Sequence, residues 1–228
     1  MKLPRSSAGR PWLASPRLAL ALFALALFAC TAAIEARPLP RDAFTAFRAA
    51  SHDRSLRDEI VGLATRAVVQ TVRGRNVTAL APPRHALLRR RIGIFVTLVE
   101  HHRVRGCMGD LDPVTSSAAG DIARAARLAA SEDLRYPPLR PSELDEIRPV
   151  VSVIGPLRRV LSPAGLDPVV LGLFVQQGGR GAVLLPGEAL SPARQIAVCK
   201  AKAGIAPAAY PAMYVFPTVV FEQRRSPR

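Results

Sequence analysis

The run Ile92-Gly93-Ile94-Phe95-Val96-Thr97-Leu98-Val99 constrains this chain more than any other stretch. It is apolar, largely β-branched and free of charge, and so predicts a buried strand. Glu100, His101, His102 and Arg103 follow and suit a turn. Next comes Val104-Arg105-Gly106-Cys107-Met108-Gly109, a thiol between two glycines with an arginine two positions before it. Glycine admits backbone conformations closed to other residues and lets another chain approach closely. One reading makes this segment a tight turn in which Cys107 packs as a small hydrophobe. The other makes it a presented thiol, with local backbone amides and Arg105 favouring the thiolate. His101 and His102 then become the candidate base or metal partners of Cys107, provided the chain folds one of them back onto the sulfur.

Periodicity organises the rest. Leu56, Ile60, Leu63, Ala64, Ala67 and Val68 recur at helical spacing between Ser55 and Val72. They predict an amphipathic helix started by Ser51 or Asp53 and stopped near Gly74. Ala118 to Ala130 predict a second helix, with Asp121 early and Arg124 and Arg127 late, as the helix dipole favours. Pro137 and Pro138 cannot continue it, and Asp133 with Arg135 predicts an ion pair that anchors the loop. Pro141–Glu146 reads as a short acidic helical turn before a strand at Pro149–Ile154. Val169–Val175 and Gly181–Leu185 predict a hairpin, because Gly178 and Gly179 supply positive φ. Ser191 caps a helix running to about Lys202, on which Cys199 is a buried small residue. Met213–Phe221 predicts one strand interrupted by Pro217, at an edge or a bulge.

Arg105-Gly-Cys-Met-Gly109, preceded by Gly93–Leu98, resembles the Leu-Arg-Gly-Cys-Ile-Gly signature of the AMMECR domain family. Bacterial and archaeal members of that family include AmmeMemoRadiSam system protein A. Ala125-Ala126, Asp133-Leu-Arg-Tyr-Pro-Pro-Leu139, Glu143-Leu144, Val151–Ile154, Gly181–Pro186, Cys199, Ala203–Ile205 and Phe221-Glu222 continue the match in order, over residues 53–223. The resemblance implies an α/β (α+β) single domain, with a mixed or antiparallel sheet, covering helices and a small second subdomain. It implies no established activity and names no cofactor. It also implies an association with Memo-like and radical SAM proteins, and hence an accessory role in protein or cofactor modification. The functional surface centres on Arg105, Gly106, Cys107 and Gly109, and the resemblance adds Asp133, Arg135 and Glu222 as candidate binding residues.

Lys2, Arg5, Arg10 and Arg17 precede a twelve-residue apolar run, Leu18–Ala29, which has the form of an export signal. The run is short of the roughly 20 residues a membrane span needs. Leu27-Phe28-Ala29-Cys30 resembles a bacterial lipobox, making Cys30 a candidate lipidation site and giving membrane contact through the N-terminus. Small residues around Thr31–Ala33 or Ile34–Ala36 suit an ordinary signal peptidase instead. The chain thus divides into a signal or anchor (1–36), a linker that turns helical (37–52), the domain (53–223) and a basic tail (224–228). The expected location is periplasmic or membrane-anchored. The formal net charge of +15 rests almost wholly on arginine and favours anionic partners without selecting one, while export sets nucleic acid aside. Asn76-Val77-Thr78 matches a glycosylation acceptor, relevant only in a eukaryotic secretory route. No Cys-x-x-Cys, His-Glu-x-x-His or phosphate-binding glycine motif occurs, and no metal site is predicted. Three roles stay open: a thiol-dependent enzyme using Cys107, a Cys107–Cys199 disulfide in an oxidising compartment, and a module binding an anion or a partner protein.

Overall fold

A computed structural model of the protein describes residues 41–75 and 82–223. The signal-like segment with Cys30, the Asn76-Val77-Thr78 sequence and the basic tail lie outside the described residues. The apolar run forms strand β1 (Ile94–Glu100), and the chain doubles straight back into β2 (Arg103–Asp110). Only His101 and His102 separate the strands, with φ of 46° and 65°. Left-handed backbone at both central positions gives the turn a twist that matches the paired strands. The turn therefore falls at the histidines, and Gly106-Cys107-Met108-Gly109 is extended strand rather than the tight turn expected.

All pairings are antiparallel. One sheet has the order β2-β1-β3-β8, with β3 at Arg148–Ile154 and β8 at Thr218–Glu222. The second has the order β4-β7-β5-β6, with β4 at Arg158–Val160, β5 at Gly172–Gln177, β6 at Arg180–Leu184 and β7 at Ala212–Phe216. The expected Met213–Phe221 strand is thus two strands in different sheets. Pro217 lies between them, and its carbonyl accepts from Gly155 N at 2.8 Å beside the other crossover. Proline cannot donate to a ladder, so a strand divides where it stands.

Four α-helices complete the described residues. α1 (Arg41–Ala49), α2 (Arg54–Val72) and α3 (Ala118–Ser131) share a core with the first sheet, and α4 (Pro192–Lys202) with the second. Asp53 caps α2 by accepting from Ser55 and Leu56 N–H, while Ser117 caps α3 and Ser191 caps α4. The stretch expected as a linker belongs to the fold from residue 41, because Ala43, Phe44 and Phe47 of α1 are buried. The Phe47 ring meets the edge of Phe221 at a centroid distance of 6.3 Å. Each such ring stabilises the fold by about 1.5–3 kcal/mol through removal from water. A third cluster joins the sheets: Ile154, Leu185 and Phe216, with Phe95, Cys107, Phe174 and Val183 packed against them. No helix among the described residues is long and apolar enough to cross a membrane.

Candidate functional site

Strand β2 is an edge strand, so every other N–H and C=O along it faces away from β1. The loop after α3 covers this edge. Cys107 N–H donates to Asp133 Oδ2 at 2.8 Å, and Cys107 C=O accepts from Arg135 Nη2 at 3.1 Å. Both backbone groups point outward, so Cys107 and its register partner Thr97 form a non-hydrogen-bonded pair, the closer kind. Their side chains meet accordingly, with Thr97 Oγ1 donating to Cys107 Sγ at 3.2 Å.

Asp133 and Arg135 form the ion pair that the sequence predicted for this loop. Arg135 Nε and Nη2 donate to the two carboxylate oxygens at 2.9 and 2.7 Å. Burial alone would raise the Asp133 pKa, but the bonds from Arg135 and Cys107 N–H outweigh it and hold the carboxyl below 3.8. Arg105 anchors the far side of the loop, donating to Glu143 Oε1 at 2.7 Å and to Pro137 C=O at 2.9 Å. Glu143 likewise lies below its ordinary 4.5: burial raises it, and Arg105 and Arg140 N–H more than offset this. The Arg105 guanidinium is thus engaged with the loop through Glu143 and Pro137.

The glycines serve close packing. A Cβ on Gly106 would stand 2.2 Å from Ala129 C=O of α3, and one on Gly109 would stand 2.2 Å from Ile94 C=O. Neither has positive φ. The alanine face of α3 can approach β2 this closely only where the strand carries no side chain. Met108 packs on the same core.

The expected thiolate is not what this environment favours. Burial pushes the Cys107 thiol above 9.0; the Thr97 bond and the charges of Arg135 and Lys202 pull it down without prevailing, and Glu188 adds to the rise. His102 and His101 occupy the hairpin end, five and six residues before Cys107, about 16 Å or more along the strand at roughly 3.3 Å per residue. His101 Nε2 lies instead 3.5 Å from Glu146 Oε2. Neither histidine folds back on the sulfur, so the expected Cys–His pair is absent. The expected disulfide is absent too: both thiols are free, with Cys107 between the sheets and Cys199 buried on α4. Glu222 occupies the same cross-strand row as Cys107, through Thr97 and Val150, but at the opposite edge of the sheet. Three strand spacings separate them by about 14 Å. No group of three or more His, Cys, Asp or Glu among the described residues is placed to hold a metal.

Thr97 and Leu134 carry no site signal in the sequence, and Glu143 enters there only as part of the family match. Strand alternation puts Thr97 on one face, but its contact with Cys107 depends on a two-residue turn and on the register irregularity at Leu98 and Val99. Leu134 is fully exposed between Asp133 and Arg135, and Arg135 stands over the Tyr136 ring at 5.5 Å from its centroid. Only the anchored loop shows that an apolar side chain is held out in water.

The AMMECR1 family model matches residues 61–221. A protein of Thermotoga maritima is 38% identical over 122 residues, covering 52% of this chain and 70% of that protein. One from Methanothermobacter thermautotrophicus is 36% identical over 139 residues, covering 57% and 72%. Protein MK0488 of Methanopyrus kandleri is 32% identical over 181 residues, covering 72% and 86%. Among solved structures, the uncharacterized protein PH0010 from Pyrococcus horikoshii superimposes with a TM-score of 0.66 at 26% identity. That match covers 74% of this chain and 92% of the other.

Proposed function

This chain belongs to the AMMECR1 family, and we propose that it is an exported accessory protein that docks a partner protein through the Leu134-Arg135-Tyr136 loop. The observation that carries the reading is Leu134, fully exposed on a loop tied to β2 through Asp133, Arg135 and Arg105. A loop held in one conformation before binding loses little entropy on docking. Arginine and tyrosine are residue types around which interfaces concentrate their energy, and exposed Leu134 adds apolar area beside Arg135 and Tyr136. On this reading the signature strand is scaffold, and its thiol does no chemistry. The partners are Memo-like and radical SAM proteins, as the family resemblance implies, and the leader-like residues 1–36 support export.

The test is calorimetric titration of the purified chain with the Memo-like and radical SAM proteins of the same organism. Leu134→Asp is expected to abolish binding without lowering the melting temperature, while Cys107→Ser keeps both. Rapid alkylation of Cys107 in the folded protein at pH 7, with no partner binding by the wild type, would instead favour the thiol-dependent enzyme.

A further inference from the structure

A cavity of about 430 Å³ lies where β4, β7 and α4 meet the loop at residues 207–211, within the range usual for small-ligand sites. Val160, Ile196, Met213 and Pro207 give it apolar walls, and the adjoining Leu161 and Tyr210 are 87% and 96% exposed. Lys200 also lines it, one helical turn after Ile196, and is only 9% exposed.

An ammonium group has three donors. That of Lys200 donates to Pro207 C=O, and no ion pair joins it to a carboxylate among the described residues. A buried charge is costly unless an opposite charge meets it. Lys202, two residues on, shows the contrast: it is exposed and caps Val183 C=O at 2.7 Å. Arg159 also lines the cavity, but it is exposed, so water screens its charge, whereas Lys200 is the one buried cation there.

We propose that this cavity binds a medium-chain carboxylate, its head on the Lys200 ammonium and its alkyl chain along Val160, Ile196 and Met213. One buried cation neutralises one negative charge, which suits a carboxylate better than a phosphate dianion. The apolar walls suit a chain that water excludes. The net charge of +15 favours the approach of any anion. No residue of the cavity belongs to β2 or to the Leu134 loop, so this assignment and the docking reading stand or fall separately.

The experiment is calorimetric titration of the full chain with octanoate, octan-1-ol, octylamine and octyl phosphate. Octanoate is expected to bind one per chain, octan-1-ol about tenfold or more weakly, and octylamine not at all. Lys200→Met should weaken octanoate about tenfold and leave octan-1-ol unchanged, while Lys200→Arg stays within about threefold. The assignment is overturned by no saturable octanoate binding, by octan-1-ol binding as tightly, or by full octanoate affinity in folded Lys200→Met. Tighter binding of octyl phosphate would overturn the carboxylate head. Should Lys200→Met fail to fold, the four ligands on the wild-type chain decide the question alone.

Discussion

The backbone of Cys107 and the side chain of Asp133 are joined by a 2.8 Å hydrogen bond that closes the free edge of the first sheet. Arg135 completes the closure by bonding both the Asp133 carboxylate and the Cys107 carbonyl. Signature strand and loop are therefore one mechanical unit, and the loop's conformation depends on a carboxylate that is 6% exposed.

Removing that carboxylate should be costly. Asp133→Ala leaves the Cys107 N–H unpaired and frees Arg135, with an expected loss of about 2–3 kcal/mol in urea denaturation. Part of the ion pair is solvent-screened, since the Arg135 side chain is 44% exposed, which keeps the figure below that of a fully buried pair. A variant as stable as the wild type would show that the loop is held by other contacts.

Acid should loosen the same unit. Asp133 and Glu143 both have folded pKa values below their ordinary 3.8 and 4.5. The folded state thus binds their protons less readily than the unfolded state does, and stability falls with falling pH. The contribution is complete above about pH 5 and is lost as pH drops through the lowered folded values. Asp133→Asn with Glu143→Gln should flatten the decline in stability below pH 4.5 relative to wild type, measured by denaturation at fixed temperature.

Cys199 predicts a change at the other end of the scale. Its sulfur donates to Ala182 C=O at 3.1 Å, and burial pushes its pKa up from 9.0 to about 11. The unfolded thiol ionises first as pH rises, so the unfolded state gains and stability falls between these values. The stability difference between wild type and Cys199→Ala should shrink by about 2 kcal/mol from pH 9 to 11. A constant difference would mean that the thiol titrates normally in the fold.

Gly106 tests the packing account of the signature. Gly106→Ala places a methyl group against Ala129 C=O, where an ideal Cβ would stand at 2.2 Å. Backbone on backbone cannot yield as a side chain can, so α3 must shift at a cost of about 3 kcal/mol. Circular dichroism with thermal melting measures this directly. A melting temperature unchanged from wild type would show that the close approach is dispensable.

Local information in the chain determined its secondary elements well. The α2 and α3 stripes, the caps at Asp53 and Ser191 and the Gly178-Gly179 hairpin follow from spacing and φ preference, which act within a few residues. The Asp133–Arg135 pair was legible for the same reason, its partners being two residues apart. Only the tertiary structure decided how Arg105-Gly-Cys-Met-Gly109 folds. A glycine-rich segment is compatible with a turn or an extended strand, and the choice here followed from left-handed backbone at His101 and His102. Pro217 shows the same limit, because an interrupted strand and a crossover between sheets look alike in one dimension. The state of Cys107 was beyond local reading altogether: its pKa depends on Thr97, on Arg135 and on the second sheet packed over it. Burial and long-range pairing are properties of the assembled chain, and they raise the Cys107 thiol above its ordinary pKa.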